Sequence, residues 1–155
     1  MHDCIAAAAR RAPWHDPCVS AVGIHHVGIA VRDLEIARER YERLFGARVE
    51  ARERVEDQGV EAASLRVGDS RIELLQPLAA DTPVGRFLAK RGAGMHHIAF
   101  EVEDLAAELD RLKALDVVLI DEEPRRGMFG LQVAFVHPEA TGGVLAEFVS
   151  DDRQR

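Results

Sequence analysis

Bulky apolar residues occupy every second position in two stretches of the chain, residues 27–31 and 98–102. A two-residue period of this kind is typical of a half-buried strand. The segment HIAFEVEDL, which contains the second stretch, begins 71 residues after HVGIAVRDL, which contains the first, and repeats its pattern. In each copy the opening histidine, His26 or His97, shares a face with the small residues. The pattern therefore predicts two copies of one module.

The elements that follow each strand are also repeated. Asp33 and Asp104 are placed to cap helices, because each precedes a stripe of apolar residues at helical spacing. Three strand-like segments follow each helix, at about residues 49–55, 60–67 and 70–76 in the first copy and 117–121, 131–136 and 144–150 in the second. The predicted fold class is α+β, with two tandem βαβββ modules forming an incomplete barrel.

The repeats also divide the chain into parts. These are an N-terminal extension of residues 1–21, module one at 22–78, a linker helix within 79–93, module two at 94–150 and a C-terminal tail at 151–155. The two modules and the linker form a single domain, 22–150. Prolines break any long helix in the extension, which is either disordered or packed as an arm on a partner subunit.

Composition and charge narrow the class of protein. Of the 155 residues, 47% are hydrophobic, and 12 glycines and 6 prolines leave enough regular sequence for one compact domain. The net charge of −7 makes nucleic acid a poor partner. No apolar run approaches the roughly 18 residues of a transmembrane helix, so no membrane role is expected. Cys4 and Cys18 precede the patterned region, which favours a reducing, cytoplasmic location.

A glutamate lies within the last strand of each module. Glu73 and Glu147 are 74 residues apart, and each points away from its apolar neighbours, toward the face that His26 and His97 share. A single strand histidine is more often a surface or packing residue, but the repetition favours a common site. Two imidazoles and two carboxylates suit a divalent ion such as Mn²⁺, Co²⁺, Ni²⁺, Fe²⁺ or Zn²⁺. The barrel is therefore predicted to enclose a metal site.

The other histidines are not expected to bind the metal directly. By strand alternation, His25 and His96 point to the opposite face from the candidate ligands, so we expect them at most to support those ligands or to pack. His137 lies in a turn and is expected to be structural. His2 and His15 lie in the extension and are expected to be incidental.

The motifs that carry these residues resemble the vicinal oxygen chelate superfamily and, within it, the methylmalonyl-CoA epimerase family. The matching stretches are IHHVGIAV from Ile24, RIELLQP from Arg71, VGRFLAKR from Val84 leading to GMHHIAF, EPRRG from Glu123 and HPEATGGVLAE from His137. The last two are more particular to the epimerases. The resemblance implies that His26, Glu73, His97 and Glu147 occupy the metal positions, with Glu73 in place of a glutamine found in some members. The expected ion is Co²⁺, Mn²⁺, Ni²⁺, Mg²⁺ or Zn²⁺.

The resemblance further implies an epimerase that interconverts (2R)- and (2S)-methylmalonyl-CoA through an enolate, in a cytoplasmic homodimer. Epimerisation needs an acid/base group on each face of C2, and Glu147 can serve as one. Where some members have the second glutamate, this chain has Ala62. Glu73 is one candidate for the second group. Glu61 is another only if a bulge at Gly59 redirects it, and is otherwise a solvated surface charge.

The phosphates of the acyl-CoA substrate require cationic partners. Two dense basic pairs are the candidates for this contact, Lys90 with Arg91 and Arg125 with Arg126. The first pair also lies near a predicted helix C-terminus, where the helix dipole alone favours positive charge.

Alternative functions share the fold. A glyoxalase I-type lactoylglutathione lyase has the same ligand layout, and the loops of residues 121–143 are what favour the epimerase. A non-catalytic small-molecule-binding protein of this fold commonly lacks the four ligands. An extradiol dioxygenase is disfavoured because a fourth protein ligand leaves too few open positions on iron.

Overall fold

A computed structural model describes residues 21–151, which form an eight-stranded sheet curled into a half-barrel, with three helices. The strands are β1 (Ala21–Ala30), β2 (Arg48–Val55), β3 (Val60–Val67), β4 (Ser70–Pro77), β5 (Gly94–Val102), β6 (Arg125–Arg126), β7 (Gln132–Val136) and β8 (Ala146–Ser150). The helices are α1 (Leu34–Phe45), α2 (Pro83–Arg91) and α3 (Leu105–Ala114). Of the predicted extension 1–21, residues 1–20 with the cysteines and two histidines lie outside the described residues, and so do residues 152–155 of the predicted tail 151–155. Residue 21 is the first residue of β1. Between residues 21 and 151, no helix has both the length and the apolar character needed to cross a membrane.

The strand order β2-β3-β4-β1-β5-β8-β7-β6 is internally symmetric. The first strand of each repeat pairs in parallel with the last strand of the same repeat, β1 with β4 and β5 with β8. The two repeats then join through the antiparallel pairing of β1 with β5. The predicted α+β fold of two tandem βαβββ units is confirmed, and its symmetric centre is the group β4-β1-β5-β8.

The predicted caps fix where the helices begin. The Asp33 side chain accepts a hydrogen bond from the Ile36 amide at 2.9 Å, and Asp104 accepts one from the Ala107 amide at 3.0 Å. Each bond satisfies a backbone donor that the first helical turn leaves unpaired. Thr82 caps α2 in the same way, so the linker helix begins where Thr-Pro predicts it.

The helices of the two repeats cover the outer face of the sheet. Leu34 of α1 packs with Leu65 and Leu74, and both of those strand residues are fully buried. In the second repeat, Leu105 and Leu109 of α3 occupy the equivalent cluster. Burial of each leucine contributes about 1.5–3 kcal/mol. Since alternate strand residues point to opposite faces, the residues between these contacts lie on the inner face of the sheet.

One predicted strand is wrong. Residues 117–121 are not a strand, and Leu119 makes a single isolated bridge with Val136. The Asp121 side chain, instead of a backbone carbonyl, accepts the Phe135 amide at 2.9 Å, so the ladder with β7 does not continue. The short β6, Arg125–Arg126, takes the equivalent place at the sheet edge. The other predicted strands are present, with ends shifted by one or two residues.

Candidate metal-binding active site

Four buried polar side chains meet on the inner face of the sheet. His26 lies on β1, Glu73 on β4, His97 on β5 and Glu147 on β8, which are the four adjacent central strands. None of the four is more than 6% exposed. The two histidines thus come from the inner pair of strands and the two glutamates from the flanking pair. The structure brings together the complete set of candidate ligands.

The donor atoms of these residues are close to one another. The Nε2 atoms of His26 and His97 are 3.0 Å apart. Glu147 Oε2 lies 3.2 Å from the first nitrogen and 3.3 Å from the second. Glu73 Oε2 lies 3.4 Å and 3.9 Å from the same nitrogens. His26, His97 and Glu147 form the tightest group, with ligand atoms within 4.8 Å of one another.

The pKa values of His26 and Glu147 are strongly shifted by their neighbours. Burial opposes a charge on His26, but the carboxylates of Glu147 and Glu73 outweigh it and raise the pKa of His26 to about 10. Burial also disfavours the Glu147 carboxylate, while the imidazoles of His26 and His97 lower its pKa to about 2. The two shifts favour a protonated imidazole at His26 beside an ionised carboxylate at Glu147.

A divalent cation fits this set of donors. Adjacent ligands at about 2.1 Å from an ion lie about 3 Å from each other, close to the separations found here. Glu147 Oε2 is buried and has no well-aligned hydrogen-bond donor. A buried carboxylate oxygen without a donor is destabilising, and a cation would satisfy it. Nitrogen and carboxylate ligands together suit a first-row transition metal or Zn²⁺.

His25 and His96 do not point away from the ligands as alternation predicts. His25 Nδ1 lies 2.8 Å from His26 Nδ1, and His96 Nδ1 lies 3.0 Å from His97 Nδ1. His96 also lines the same pocket as His97. The prediction of an opposite face is wrong because the β1–β5 register shifts at both positions, which disturbs the regular alternation.

A pocket of about 200 Å³ opens beside two of the four side chains. Glu147 and His97 line one part of it, and apolar side chains, including those of Leu75 and Met128, line another. Arg125 also borders the pocket, with its Nε held by Asp121 Oδ2 at 3.0 Å. The pocket thus combines an acidic, histidine-rich end with apolar walls and one guanidinium group.

The loop of residues 127–130 that borders this pocket is held by the first repeat. Phe129 has a left-handed backbone conformation, with φ of 59°, which residues other than glycine rarely adopt. The Phe129 amide donates a hydrogen bond of 2.5 Å to Glu53 Oε2 on β2. Gln58 Nε2 donates to the Arg126 carbonyl at 3.0 Å. Two side chains of the first repeat therefore fix a pocket loop of the second.

Glu53 was not among the residues singled out from the sequence. Its strand partner is Ala62, and Ser64 on the same strand is the partner of Glu73. Opposed residues of an antiparallel pair share a face, so Glu53 lies on the inner face together with Glu73. No sequence signal distinguished it, since β2 carries charged residues at several positions and its partner across the fold is 76 residues away.

Glu61 lies outside the candidate site. The Arg52 guanidinium binds its carboxylate, with Nη2 at 2.8 Å and Nε at 2.9 Å from Oε1. The β2–β3 register is regular beside Gly59, so the bulge that Glu61 would need is not present there. Glu61 is therefore a surface ion-pair residue. Ala62, at the position of the second glutamate of some family members, is fully buried among apolar side chains.

The two members of each basic pair lie in different surroundings. Arg125 borders the pocket next to Glu147, whereas Arg126 is exposed. Arg91 lines a neighbouring pocket of about 250 Å³ that shares His96 with the first, and its guanidinium carbon lies 6.0 Å from the centre of the Phe87 ring. Lys90 is exposed at the end of α2. One arginine of each pair therefore borders a pocket.

Comparison with known proteins agrees with this architecture. Residues 25–135 match the model of the Glyoxalase/Bleomycin resistance protein/Dioxygenase superfamily. The ethylmalonyl-CoA/methylmalonyl-CoA epimerase of Cereibacter sphaeroides is 43% identical over 126 residues, which cover 80% of this chain and 94% of the relative.

Solved structures give the same result. A methylmalonyl-CoA epimerase variant of Streptomyces coelicolor, in complex with 2-nitronate-propionyl-CoA, superposes with a TM-score of 0.83 at 39% identity, covering 86% of this chain and 99% of the other. The methylmalonyl-CoA epimerase of Mycobacterium tuberculosis gives 0.82 at 37% identity, with coverages of 93% and 94%. The chain belongs to the methylmalonyl-CoA epimerase family of this superfamily.

Proposed function

We propose that the protein is a metal-dependent epimerase that interconverts (2R)- and (2S)-methylmalonyl-CoA. The observation that carries the proposal is the convergence of His26, Glu73, His97 and Glu147. Two of these side chains line a pocket, in a chain 43% identical to the ethylmalonyl-CoA/methylmalonyl-CoA epimerase of Cereibacter sphaeroides. These four residues are the proposed ligands of one Co²⁺, Mn²⁺, Ni²⁺, Mg²⁺ or Zn²⁺ ion. When bound, such an ion supplies positive charge where the thioester oxygen becomes negative as C2 is deprotonated.

Two carboxylates lie on either side of the histidine pair, and epimerisation needs one acid/base group on each face of C2. Glu73 and Glu147 lie on the outer strands of the central four, so they approach the site from its two sides. We assign them as the acid/base pair, one removing the C2 proton and the other returning a proton to the opposite face. This assignment accounts for the reaction without the glutamate that Ala62 replaces. The surrounding apolar side chains exclude water from the carbanion and protect it from premature protonation.

Basic residues at the pocket edges are the proposed contacts of the CoA group. Arg125 and Arg91 each border a pocket and carry the planar donors that suit phosphate oxygens. Lys90 and Arg126 are exposed beside them and would add favourable charge. The homodimer implied by the family resemblance stays a prediction, which light scattering of the purified protein tests.

Activity on two substrates tests this function. The metal-loaded protein is incubated with (2S)-methylmalonyl-CoA, and a coupling enzyme that consumes only the (2R) epimer reports turnover. A parallel reaction contains the hemithioacetal of methylglyoxal and glutathione. We expect turnover of the CoA ester and its loss on Glu147→Gln. Glu139→Gln, whose parent side chain is 76% exposed, is the matched control and should retain activity. Turnover of the hemithioacetal alone would contradict the proposal and indicate a lactoylglutathione lyase.

A further inference from the structure

The residue before the first candidate ligand occupies a β-bulge. In the β1–β5 ladder, Ile24 pairs with Phe100 and His26 pairs with Ala99, although Phe100 and Ala99 are consecutive. His25 is therefore an extra residue on β1. A bulge of this kind disturbs strand alternation locally, so two consecutive side chains are no longer forced to opposite faces.

The second candidate ligand is preceded by an equivalent bulge on the partner strand. Gly28 pairs with His97, and the next residue, Ile29, pairs with Met95. His96 is therefore an extra residue on β5. The same two-histidine bulge thus occurs once in each repeat, and a repeated irregularity at a functional site indicates a selected feature more than a packing accident.

Each bulge places a second imidazole next to the Nδ1 atom of a candidate ligand. The His26 and His97 Nε2 atoms face each other at 3.0 Å, so their Nδ1 atoms point away from the shared centre. His25 Nδ1 lies 2.8 Å from one of these atoms, and His96 Nδ1 lies 3.0 Å from the other. An imidazole that binds a metal through Nε2 carries its proton on Nδ1 and needs an acceptor there.

We propose that His25 and His96 are positioning residues that accept the Nδ1–H groups of His26 and His97, and so fix the tautomer and ring orientation for coordination through Nε2. This inference rests on the metal site of the proposed function but does not depend on the reaction catalysed there. It assigns a role to a histidine pair in each repeat, where alternation alone would make the second member an outward-facing residue.

The two positions differ in how firmly they are held. His96 packs edge-on against the Phe87 ring, with centroids 4.9 Å apart, and lines both pockets. For His25, the ring contact in the described structure is with His26, at 5.1 Å between centroids. We therefore expect the loss of the His96 acceptor to have the larger effect.

Paired substitutions separate hydrogen bonding from packing. His25→Asn and His96→Asn keep a short-range acceptor, whereas His25→Phe and His96→Phe keep an aromatic ring without one. The affinity of the full chain for Co²⁺ is measured by competition with a chelator, together with the absorption spectrum of the bound ion. We expect the phenylalanine variants to lose about 10- to 100-fold in affinity, and the asparagine variants to stay within about threefold of the parent. His137→Phe is the control, because that side chain caps an exposed turn and should leave the affinity unchanged.

Parent affinity in both phenylalanine variants would overturn the inference, and so would equal losses in the phenylalanine and asparagine variants. A measurement on the unaltered chain covers variants that fail to fold: long-range ¹H–¹⁵N spectra of the Zn²⁺-loaded protein should show His26 and His97 protonated on Nδ1. Coordination through Nδ1 would contradict the inference. A parent chain that binds neither ion would contradict the proposed function as well, whereas metal binding without epimerase activity would contradict only the proposed reaction.

Discussion

The two repeats are nearly equivalent at the candidate metal site and different at the pocket. Each contributes a histidine from its first strand, a glutamate from its last strand and an aspartate cap on its helix. Their second strands differ most, because β2 has eight residues, Arg48–Val55, whereas β6 has two, Arg125–Arg126. Strand β6 carries the pocket arginine Arg125, and the strained loop at Phe129 follows it.

This difference separates two tasks within one fold. The parts that stay similar hold the four candidate ligands, because each repeat supplies one histidine and one glutamate from equivalent strands. The part that diverges shapes the space where a substrate would lie. Glu53 and Gln58 then connect the regular strand of the first repeat to the irregular loop of the second. Substitutions in the shared and divergent parts should therefore have distinguishable effects.

The largest effects are expected at the two glutamates. Glu147→Gln and Glu73→Gln should each lower kcat by about 10²- to 10⁴-fold, because each removes one acid/base group. Glu147→Gln should also weaken metal binding, since Glu147 belongs to the tightest donor group. Glu73→Gln retains an oxygen ligand and should bind metal nearly as before. Steady-state kinetics and chelator competition measure the two effects; a Glu73→Gln enzyme with parent kcat would remove Glu73 from the acid/base pair.

A smaller loss of metal affinity is expected when the candidate metal site is crowded without removal of a ligand. A Cβ at Gly28 would lie 2.2 Å from His97 Cε1, so Gly28→Ala must displace that ring. We expect about a tenfold loss of metal affinity, within the 1–3 kcal/mol typical of overpacking. Gly23→Ala, on the same strand with nothing within 4 Å of the new Cβ, is the control. Equal metal affinity in both variants would show that His97 does not depend on this packing.

Substitutions at Glu53 test the role of the divergent part. Glu53→Ala removes the acceptor of the Phe129 amide and releases a strained loop beside the pocket. We expect KM to rise about tenfold, with kcat and metal affinity retained, because a charged hydrogen bond contributes about 1.5–3 kcal/mol. Glu53→Gln keeps an acceptor oxygen and should largely restore KM. If Glu53→Gln instead loses kcat while KM is kept, Glu53 takes part in proton transfer and the separation of tasks fails.

The smallest effects are expected at the helix caps, where the repeats are equivalent but remote from the site. Asp33→Ala and Asp104→Ala should each lower the free energy of unfolding by about 1 kcal/mol. For a chain of this size the melting temperature should fall by about 2–4 °C, with kcat unchanged. Asp110→Ala, whose parent side chain is 81% exposed, should change neither. Thermal denaturation followed by circular dichroism checks all three; a large difference between the two caps would mean that the repeats are not equally stable.

Much of this arrangement follows from local pattern. Alternation, Asp caps and the repeat predicted the fold and brought His26, Glu73, His97 and Glu147 together, because a period of two residues fixes which face a strand side chain takes. The positions of His25 and His96 could not be obtained in this way. A β-bulge is a property of the pairing between two strands, and neither strand alone signals it.

The structure of the divergent region also could not be predicted from the local sequence pattern. Residues 117–121 have the apolar character of a strand, but the Asp121 side chain takes the hydrogen bond that would extend the ladder. The role of Glu53 depends on a contact between residues 76 positions apart. Both the hydrogen bond of Asp121 and the contact of Glu53 depend on tertiary structure, which the local sequence pattern does not contain.

Hydrogen exchange at C2 of methylmalonyl-CoA tests the central claim most directly. The protein is stripped of metal with a chelator, divided, and incubated with the substrate in deuterated water with and without a restored divalent ion. The four-residue site predicts deuterium at C2 in both epimers only when the ion is present. Exchange at the same rate in the stripped and restored samples would contradict the account.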